Sequence, residues 1–148
     1  PKRIEASRAV GADAVVDFTK ENPVEAIMRL TSGRGVDVAI EALGIQETFE
    51  AALRVLRPGG VLSSLGVYSS DLKIPLDAFA AGLGDHTIRT TLCPGGKERM
   101  RRLMNIVASG RFDGRRLVTH RFRLDEIERA YGVFSRQEDG VLKVAITP

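Results

Sequence analysis

Small, flexible residues stand at three points of the chain where an apolar run ends. These points are Ala42-Leu43-Gly44, Gly66-Val67-Tyr68-Ser69 and Leu92-Cys93-Pro94-Gly95-Gly96. Because glycine has no Cβ, it lets the backbone come close to a planar ring or a sugar. One such place is an ordinary turn, whereas three on one edge of a parallel sheet indicate a groove for an extended ligand. The pattern therefore favours the binding of a dinucleotide, with simple turns as the alternative.

Signals for a metal centre or a nucleophile are weak. His86 and His120 are far apart, and the single cysteine, Cys93, cannot complete a cluster of zinc ligands. We expect no metal ligand and no catalytic residue in this chain, and Cys93 to line a pocket or to be a small buried residue. Asp37 and Glu41 lack a second carboxylate at a telling spacing, which favours a solvated or capping role.

The usual phosphate fingerprint, Gly-x-Gly-x-x-Gly between a first strand and its helix, is not found. Gly33-Arg34-Gly35 precedes an apolar run instead of following one, which is the wrong context for that motif. Since the chain starts with Pro1 rather than Met, we expect it to be a piece of a longer protein, with the fingerprint just upstream.

Apolar spacing predicts alternating helices and strands. Residues at i, i+3, i+4 and i+7 predict four helices, and a shorter one is predicted from Ile4 to Val10. The four are Val24/Ile27/Met28/Thr31, Phe49/Ala52/Leu53/Leu56, Met100/Leu103/Met104/Val107 and Ile127/Ala130/Tyr131/Phe134. Strands are predicted at 14–18, 36–43, 60–67, 88–92, 117–122 and 142–147, and a loop with a short helix at 69–83.

This alternation predicts one α/β domain over residues 1–148. Its sheet is expected to be doubly wound, mostly parallel and covered on both faces, because several strands are almost continuously apolar. Local residues support the boundaries. Asn22 followed by Pro23 predicts a helix start, Asp125 is predicted to cap the last helix, and residues 57–60 are expected to end the helix that begins near Phe49.

Composition limits the partners. The formal net charge is only +3, and the basic cluster at 99–102 is expected to cover a wet helix face. With two Tyr, six Phe and no Trp, the chain offers little for stacking on bases, so no nucleic-acid partner is expected. We expect no membrane span either. The lone cysteine favours a reducing, cytoplasmic location.

The ordered motifs resemble the cofactor domain of zinc-type medium-chain alcohol dehydrogenases. Residues 1–13 are similar to the second helix of that family, 33–44 to its fourth strand, 56–60 to its turn into the fifth strand, and 125–146 to its final helix and strand. The stretch 92–96 is similar to a narrower group, the bacterial and archaeal secondary-alcohol dehydrogenases that often use NADP. The resemblance covers the whole chain and implies a Rossmann-like domain without its first strand–glycine loop–helix unit.

The resemblance also implies a reaction. The intact enzyme would pass hydride between NADP or NAD and an alcohol or carbonyl compound, with zinc polarising the substrate oxygen. The zinc ligands of the family belong to an N-terminal domain that this chain lacks, so the chain alone is expected to be inactive. Lys2 and Arg3 are candidates to lie near a 2′-phosphate, and Phe18 to flank the adenine or to pack in the core.

The same resemblance assigns cofactor contacts by position. One group would border the nicotinamide and its ribose, a second would line the nicotinamide face through backbone groups, and a third would close that end. These groups are Ala42, Leu43 and Gly44; Gly66, Val67 and Tyr68; and Leu92 and Cys93. Lys143 would lie near the phosphates, or would simply face solvent.

Family members usually form dimers or tetramers, so the β-branched run at 86–91 is a candidate edge for a homo-oligomer. Three alternatives stay open. The first is a zinc-independent quinone or enone reductase of the same superfamily, and the second is a non-catalytic nucleotide-binding module. The third is an S-adenosylmethionine methyltransferase, which the order of the motifs disfavours.

Overall fold

The computed structural model describes residues 2–91 and 95–148, which divide into two compact units. Residues 16–91 form the sheet unit, and residues 2–15 with 95–148 form the terminal unit. The helices are α1 Lys2–Ala9, α2 Pro23–Leu30, α3 Gln46–Arg54, α4 Lys97–Ala108 and α5 Ile127–Arg136. The strands are β1 Val36–Glu41, β2 Leu56–Ser64, β3 Thr87–Thr90, β4 Val118–Arg123 and β5 Lys143–Thr147. Short 3-10 helices span Ala80–Gly82, Gly114–Leu117, Leu124–Glu126 and Glu138–Gly140.

In the sheet unit, β1, β2 and β3 are neighbours in chain order and all run parallel. α3 packs on β1 and β2, and α2 packs on α3. Phe49 and Leu53 of α3 meet Leu62 of β2 in the core, and each is at most 2% exposed. Three parallel neighbours in chain order match one half of a doubly wound sheet, so the predicted fold class is confirmed.

The helix α2 begins as its sequence predicts. The Asn22 side chain accepts hydrogen bonds from the N–H groups of Val24 and Glu25 at 2.9 and 3.3 Å, and Pro23 occupies the first turn. Asn22 thereby satisfies two N–H groups that have no partner within the helix. The apolar face that follows, with Val24 and Ile27, packs against the core.

The faces of β1 differ from the prediction of a sheet covered on both sides. Ala39 and Glu41 are buried, whereas Val38 and Ile40 are 54% and 67% exposed. Since successive side chains of a strand point to opposite faces, the core cluster around Phe49 covers only one side of β1.

Two predictions for the sheet unit were wrong, one about a strand and one about the end of a helix. Residues 14–18 form no strand, and none of the described strands pairs with them. The helix α3 ends at Arg54, before the 57–60 stretch that was expected to stop it. Residues 57–60 instead form an irregularity inside β2, where the pairing passes from Val36–Leu56 to Val38–Val61.

In the terminal unit, β4 and β5 form a parallel two-stranded sheet of their own rather than part of one continuous sheet. α5 packs on both strands, with Ala130 and Val133 buried against Phe122 and Val141. The ammonium of Lys2 donates to the Asp139 carbonyl at 3.2 Å and ties α1 to this unit.

The start of the last helix also differs from prediction. Asp125 does not cap it; its carboxylate accepts from the Arg123 guanidinium at 3.2 Å. The Glu126 carboxylate accepts from the Arg123 backbone N–H at 3.2 Å, which caps the 3-10 helix Leu124–Glu126 that precedes α5. Glu126 is the N-cap residue of α5 but makes no side-chain cap bond to that helix. Over the described ranges, no helix has the length and apolar character needed to cross a membrane.

Candidate functional site

The carboxyl ends of β1 and β2 meet at one edge of the sheet. Glu41, the last residue of β1, is in register with Ser64, and the Leu65 N–H donates to the Glu41 carbonyl at 2.7 Å. Two of the three predicted glycine-bearing strand ends therefore lie together. We call them the shelf, which comprises residues 42–44 and 66–68.

Two glycines allow the halves of the shelf to touch. Gly44 has a φ of +88°, and a Cβ there would collide with the backbone of Val67. A Cβ on Gly66 would collide with the Glu41 carboxylate and with the Gly44 backbone. Both places thus require a residue without a side chain. Above this contact, the side chains of Leu43 and Val67 are 65% and 80% exposed and offer an apolar surface.

The carboxylate of Glu41 lies beneath the shelf, and the residue is only 2% exposed. Four neutral donors surround it. Oε1 accepts from the N–H groups of Leu43 and Gly44 at 2.7 and 2.8 Å and from the Thr48 hydroxyl at 2.8 Å. Oε2 accepts from the Tyr68 hydroxyl at 2.7 Å.

These donors determine the charge state of the group. Burial by itself raises the pKa of the Glu41 carboxyl, because it disfavours the charged form. The hydrogen bonds, led by the Gly44 N–H and the Tyr68 hydroxyl, outweigh burial and lower this pKa to about 2. Glu41 is therefore ionised at neutral pH, which does not suit it to act as a general acid.

Tyr68 turns its side chain inward. Its hydroxyl is 2.8 Å from Ser64 Oγ as well as being bonded to Glu41, and its ring meets Phe49 edge-on at a centroid distance of 6.1 Å. Burial raises the pKa of this phenol. The Tyr68 hydroxyl is thus engaged within the protein, and the contact predicted between the Tyr68 backbone and a cofactor stays a prediction.

A groove of about 860 Å³ runs from the shelf along the sheet unit. Leu43 and Ile45 line it beside the shelf, and Val16, Phe18 and Val24 line it further away. Phe18 is 78% exposed, so the alternative that it packs in the core was wrong. It lies in a turn, and none of the described strands pairs with this part of the chain.

The remaining predicted contacts lie elsewhere. Leu92 and Cys93 are outside the described residues. Lys143 is the first residue of β5 in the terminal unit, where it is exposed beside Tyr131 and Val144. Lys2 and Arg3 form the exposed first turn of α1.

The weak metal signals gain no support from the described part of the chain. Within residues 2–91 and 95–148, no three His, Cys, Asp or Glu side chains cluster in a way that could hold a metal ion. His120 lies in β4, stacked on Phe122 and bonded to Thr119 at 2.9 Å. His86 is half-buried just before β3. The residues described here do not fit a zinc centre.

Similarity to known proteins identifies the family of this chain. Residues 1–109 match the family described as zinc-binding dehydrogenase. The chain belongs to the zinc-binding dehydrogenase family. It is 65% identical over 146 residues to an alcohol dehydrogenase of Cupriavidus necator, covering 99% of this chain and 40% of that protein. It is 35% identical to the NADP-dependent isopropanol dehydrogenase of Thermoanaerobacter brockii, covering 99% of this chain and 42% of that protein.

A solved structure gives the same result for the fold. The alcohol dehydrogenase TADH from Thermus sp. ATN1 superposes with a TM-score of 0.87 at 32% identity, over the whole chain and 41% of that protein. This zinc-binding dehydrogenase chain thus spans about 40% of the length of the relatives it matches. The resemblance inferred from the motifs is confirmed.

Sequence reasoning underrated one residue of this site. Glu41 was expected to be solvated or to cap, and it is instead a buried acceptor that joins both halves of the shelf. One signal was available: an acidic residue on the inward-facing side of an apolar strand, directly before Ala-Leu-Gly, must find donors nearby. Its partner Tyr68 lies 27 residues further along the chain and carried no such signal.

Proposed function

We propose that this chain is the nicotinamide-nucleotide-binding part of a longer, two-domain zinc-dependent alcohol dehydrogenase. The complete enzyme transfers hydride between NADP or NAD and the carbon of an alcohol or carbonyl compound. The observation that carries the proposal is the shelf, in which Gly44 and Gly66 leave backbone and apolar surface free where the sheet ends. Ligands of doubly wound sheets bind outside such strand ends.

The shelf and the groove together suit an extended ligand. In this proposal the nicotinamide and its ribose lie on residues 42–44 and 66–68, and the groove toward Phe18 takes the adenine half. Contacts of Leu92, Cys93 and Lys143 with the cofactor are predicted from the sequence resemblance alone. NADP is the preferred cofactor here, since two similar relatives are named NADP-dependent isopropanol dehydrogenases.

Zinc, when bound, supplies a Lewis acid for the substrate oxygen. The proposal assigns its ligands to a part of the enzyme beyond this chain, because the described residues do not form a metal site. The chain alone is therefore expected to bind cofactor without turning over alcohol.

Binding and turnover are tested separately. The 148-residue chain is titrated with NADP and with NAD by calorimetry, beside the variants G66A and G114A. The added methyl of G66A meets the Glu41 carboxylate and the Gly44 backbone, whereas that of G114A meets only the movable Phe112 ring at 3.2 Å. Nucleotide binding that is weaker in G66A but unchanged in G114A supports the proposal that the cofactor binds at the shelf. Absence of binding to either nucleotide refutes the proposal.

A chimera tests the enzyme as a whole. In it, this chain replaces the matching segment of the Cupriavidus necator alcohol dehydrogenase, which is 65% identical. We expect NADP- or NAD-dependent oxidation of a secondary alcohol by the chimera and none by the 148-residue chain. Turnover by the chain alone would contradict the assignment of the zinc site to another part of the enzyme.

For assembly, we propose that β3 pairs with a second copy of the chain. β3 is the last strand of its three-stranded sheet, and all four of its residues, Thr87–Thr90, are exposed. Paired edges satisfy backbone groups that would otherwise face water. Sedimentation over a range of concentrations tests this proposal, and a monomer throughout would argue against it.

A further inference from the structure

We propose that Glu41 is a positioning residue that holds the two halves of the shelf in one fixed arrangement for the cofactor. This inference rests on the proposed function. Glu41 itself touches no cofactor, because it is buried beneath residues 42–44 and 66–68. It acts through the backbone that it bonds.

The two carboxylate oxygens of Glu41 bond different halves of the shelf. Oε1 accepts from the backbone N–H groups of Leu43 and Gly44, which belong to the turn after β1. Oε2 accepts from the hydroxyl of Tyr68, which belongs to the turn after β2. One rigid, planar group thus joins the two strand ends, each through its own oxygen.

The Glu41 carboxylate also lies between the two halves of the shelf. Gly66 lies so close to the Glu41 carboxylate and to the Gly44 backbone that no Cβ fits between them. The carboxylate therefore bonds both halves and also limits how near they come. A displacement of Glu41 has to move Gly44 or Gly66, which are the residues assigned to the nicotinamide end.

The chemistry of a carboxylate suits a positioning role at this place. A buried carboxylate costs more free energy than an apolar side chain of the same volume, so filling space does not explain it. It offers several lone pairs on two equivalent oxygens, and here four donors bond to it. One of them, the Tyr68 hydroxyl, is also 2.8 Å from Ser64 Oγ. A glutamine in its place has one acceptor oxygen and directs an NH₂ group at one half of the shelf.

The variant E41Q tests this inference in the 148-residue chain, with E25Q as the matched control. E25Q removes one negative charge from an exposed position on α2 of the same unit. Proton–nitrogen correlation spectra report the Leu43 and Gly44 amides. In E41Q we expect these two resonances to move upfield, while those of α2 and β3 stay in place. The Kd for NADP is expected to rise about tenfold, the effect of losing one charge-assisted bond.

The variant Y68F keeps the test valid if E41Q does not fold. It removes only the bond to Oε2 and preserves the ring that packs on Phe49. We expect its Leu43 and Gly44 amides to stay near their wild-type shifts, since Oε1 is untouched, while the Kd for NADP rises about threefold. A Y68F chain that binds NADP like the wild type would overturn the proposed link between the halves.

The outcomes separate the two proposals. If E41Q is folded, with wild-type amide shifts and wild-type affinity for NADP, Glu41 has no positioning role and this inference is overturned. If the wild-type chain binds neither NADP nor NAD, the proposed function fails and the positioning role fails with it, even where the amide shifts show that Glu41 orders the turn. An increased Kd in E41Q but not in E25Q supports both.

Discussion

A carboxylate lies near each end of β1, and the two groups have the same lowered pKa although their burial and their hydrogen-bond donors differ. At the start of the strand, Asp37 is exposed, and hydrogen bonds from the guanidinium groups of Arg34 and Arg57 lower its pKa to about 2. At the end, Glu41 is buried and four neutral donors lower its pKa to about 2. The two carboxylates therefore share a pKa but not their surroundings. Asp37 pairs with exposed guanidinium groups, whereas Glu41 accepts hydrogen bonds from backbone N–H groups.

Because Asp37 is exposed and Glu41 is buried, the two carboxylates contribute differently to the stability of the fold. Water and salt screen an exposed ion pair, so its net effect on stability is small. A buried acceptor cannot be removed without leaving its donors unpaired in the protein interior. The comparison thus predicts that changes at the two ends of β1 differ greatly in effect, and four experiments test it.

The largest effect is expected for E41A. The substitution leaves the N–H groups of Leu43 and Gly44 and two hydroxyls without their acceptor, so the free energy of unfolding should fall by about 3 kcal/mol. Urea denaturation followed by circular dichroism measures it. A loss as small as that of an exposed carboxylate would show that the network adds nothing to stability.

The second prediction is that this deficit depends on pH. The folded-state pKa of Glu41 is lowered from 4.5 to about 2, so the ionised group stabilises the fold above about pH 4.5. That contribution is lost as the pH falls toward 2. The wild type and E41A should therefore converge on acidification. Urea denaturation at pH 6, 4.5 and 3 is the measurement, and a difference that stays constant would contradict the lowered pKa.

A pair of glycine variants extends the comparison to the backbone. Both G44A and G33A place alanine at a positive φ, of +88° and +79°, but only Gly44 meets other backbone, while Gly33 has open space. G44A should therefore destabilise the chain by about 2 kcal/mol more than G33A does. Equal losses would mean that conformation alone, and not the contact with Val67, requires glycine there.

The smallest effect is expected for D37N. It removes the charge that Arg34 and Arg57 share on an exposed surface. The midpoint of urea denaturation should lie close to that of the wild type, and any difference should vanish in 1 M salt, where the Debye length is about 3 Å. A salt-resistant loss would place Asp37 in the same class as Glu41 and remove the contrast.

Much of the sheet unit followed from the sequence because local chemistry dictates it. The apolar spacing of Val24, Ile27, Phe49 and Leu53 predicted α2 and α3, and the Asn22-Pro23 start was confirmed. Parallel neighbours then bring the ends of β1 and β2 together, so the pairing of residues 42–44 with 66–68 could be expected. These features depend on periodicity and on short-range bonds.

The errors occurred where a distant partner decides the structure. Residues 14–18 have strand-like composition, but a strand also needs a neighbour, which composition does not reveal. The irregularity at 57–60 depends on pairing with β1. Glu41 was underrated because three of its donors are local but the fourth, Tyr68, is 27 residues away. The proposed contacts of Lys143 and Cys93 with a cofactor remain predictions.

The exposed face of β1 bears on how the chain behaves when it is produced alone. Val38 and Ile40 present an apolar surface, and within the described sheet β1 has a neighbour on one side only. Natural sheets guard such strands with outward charges that discourage intermolecular β-pairing and aggregation. Here Glu41 points inward and Asp37 lies near the start of the strand, so no charged side chain protects the middle of β1. Replacing Val38 with lysine should improve solubility while leaving the shelf intact.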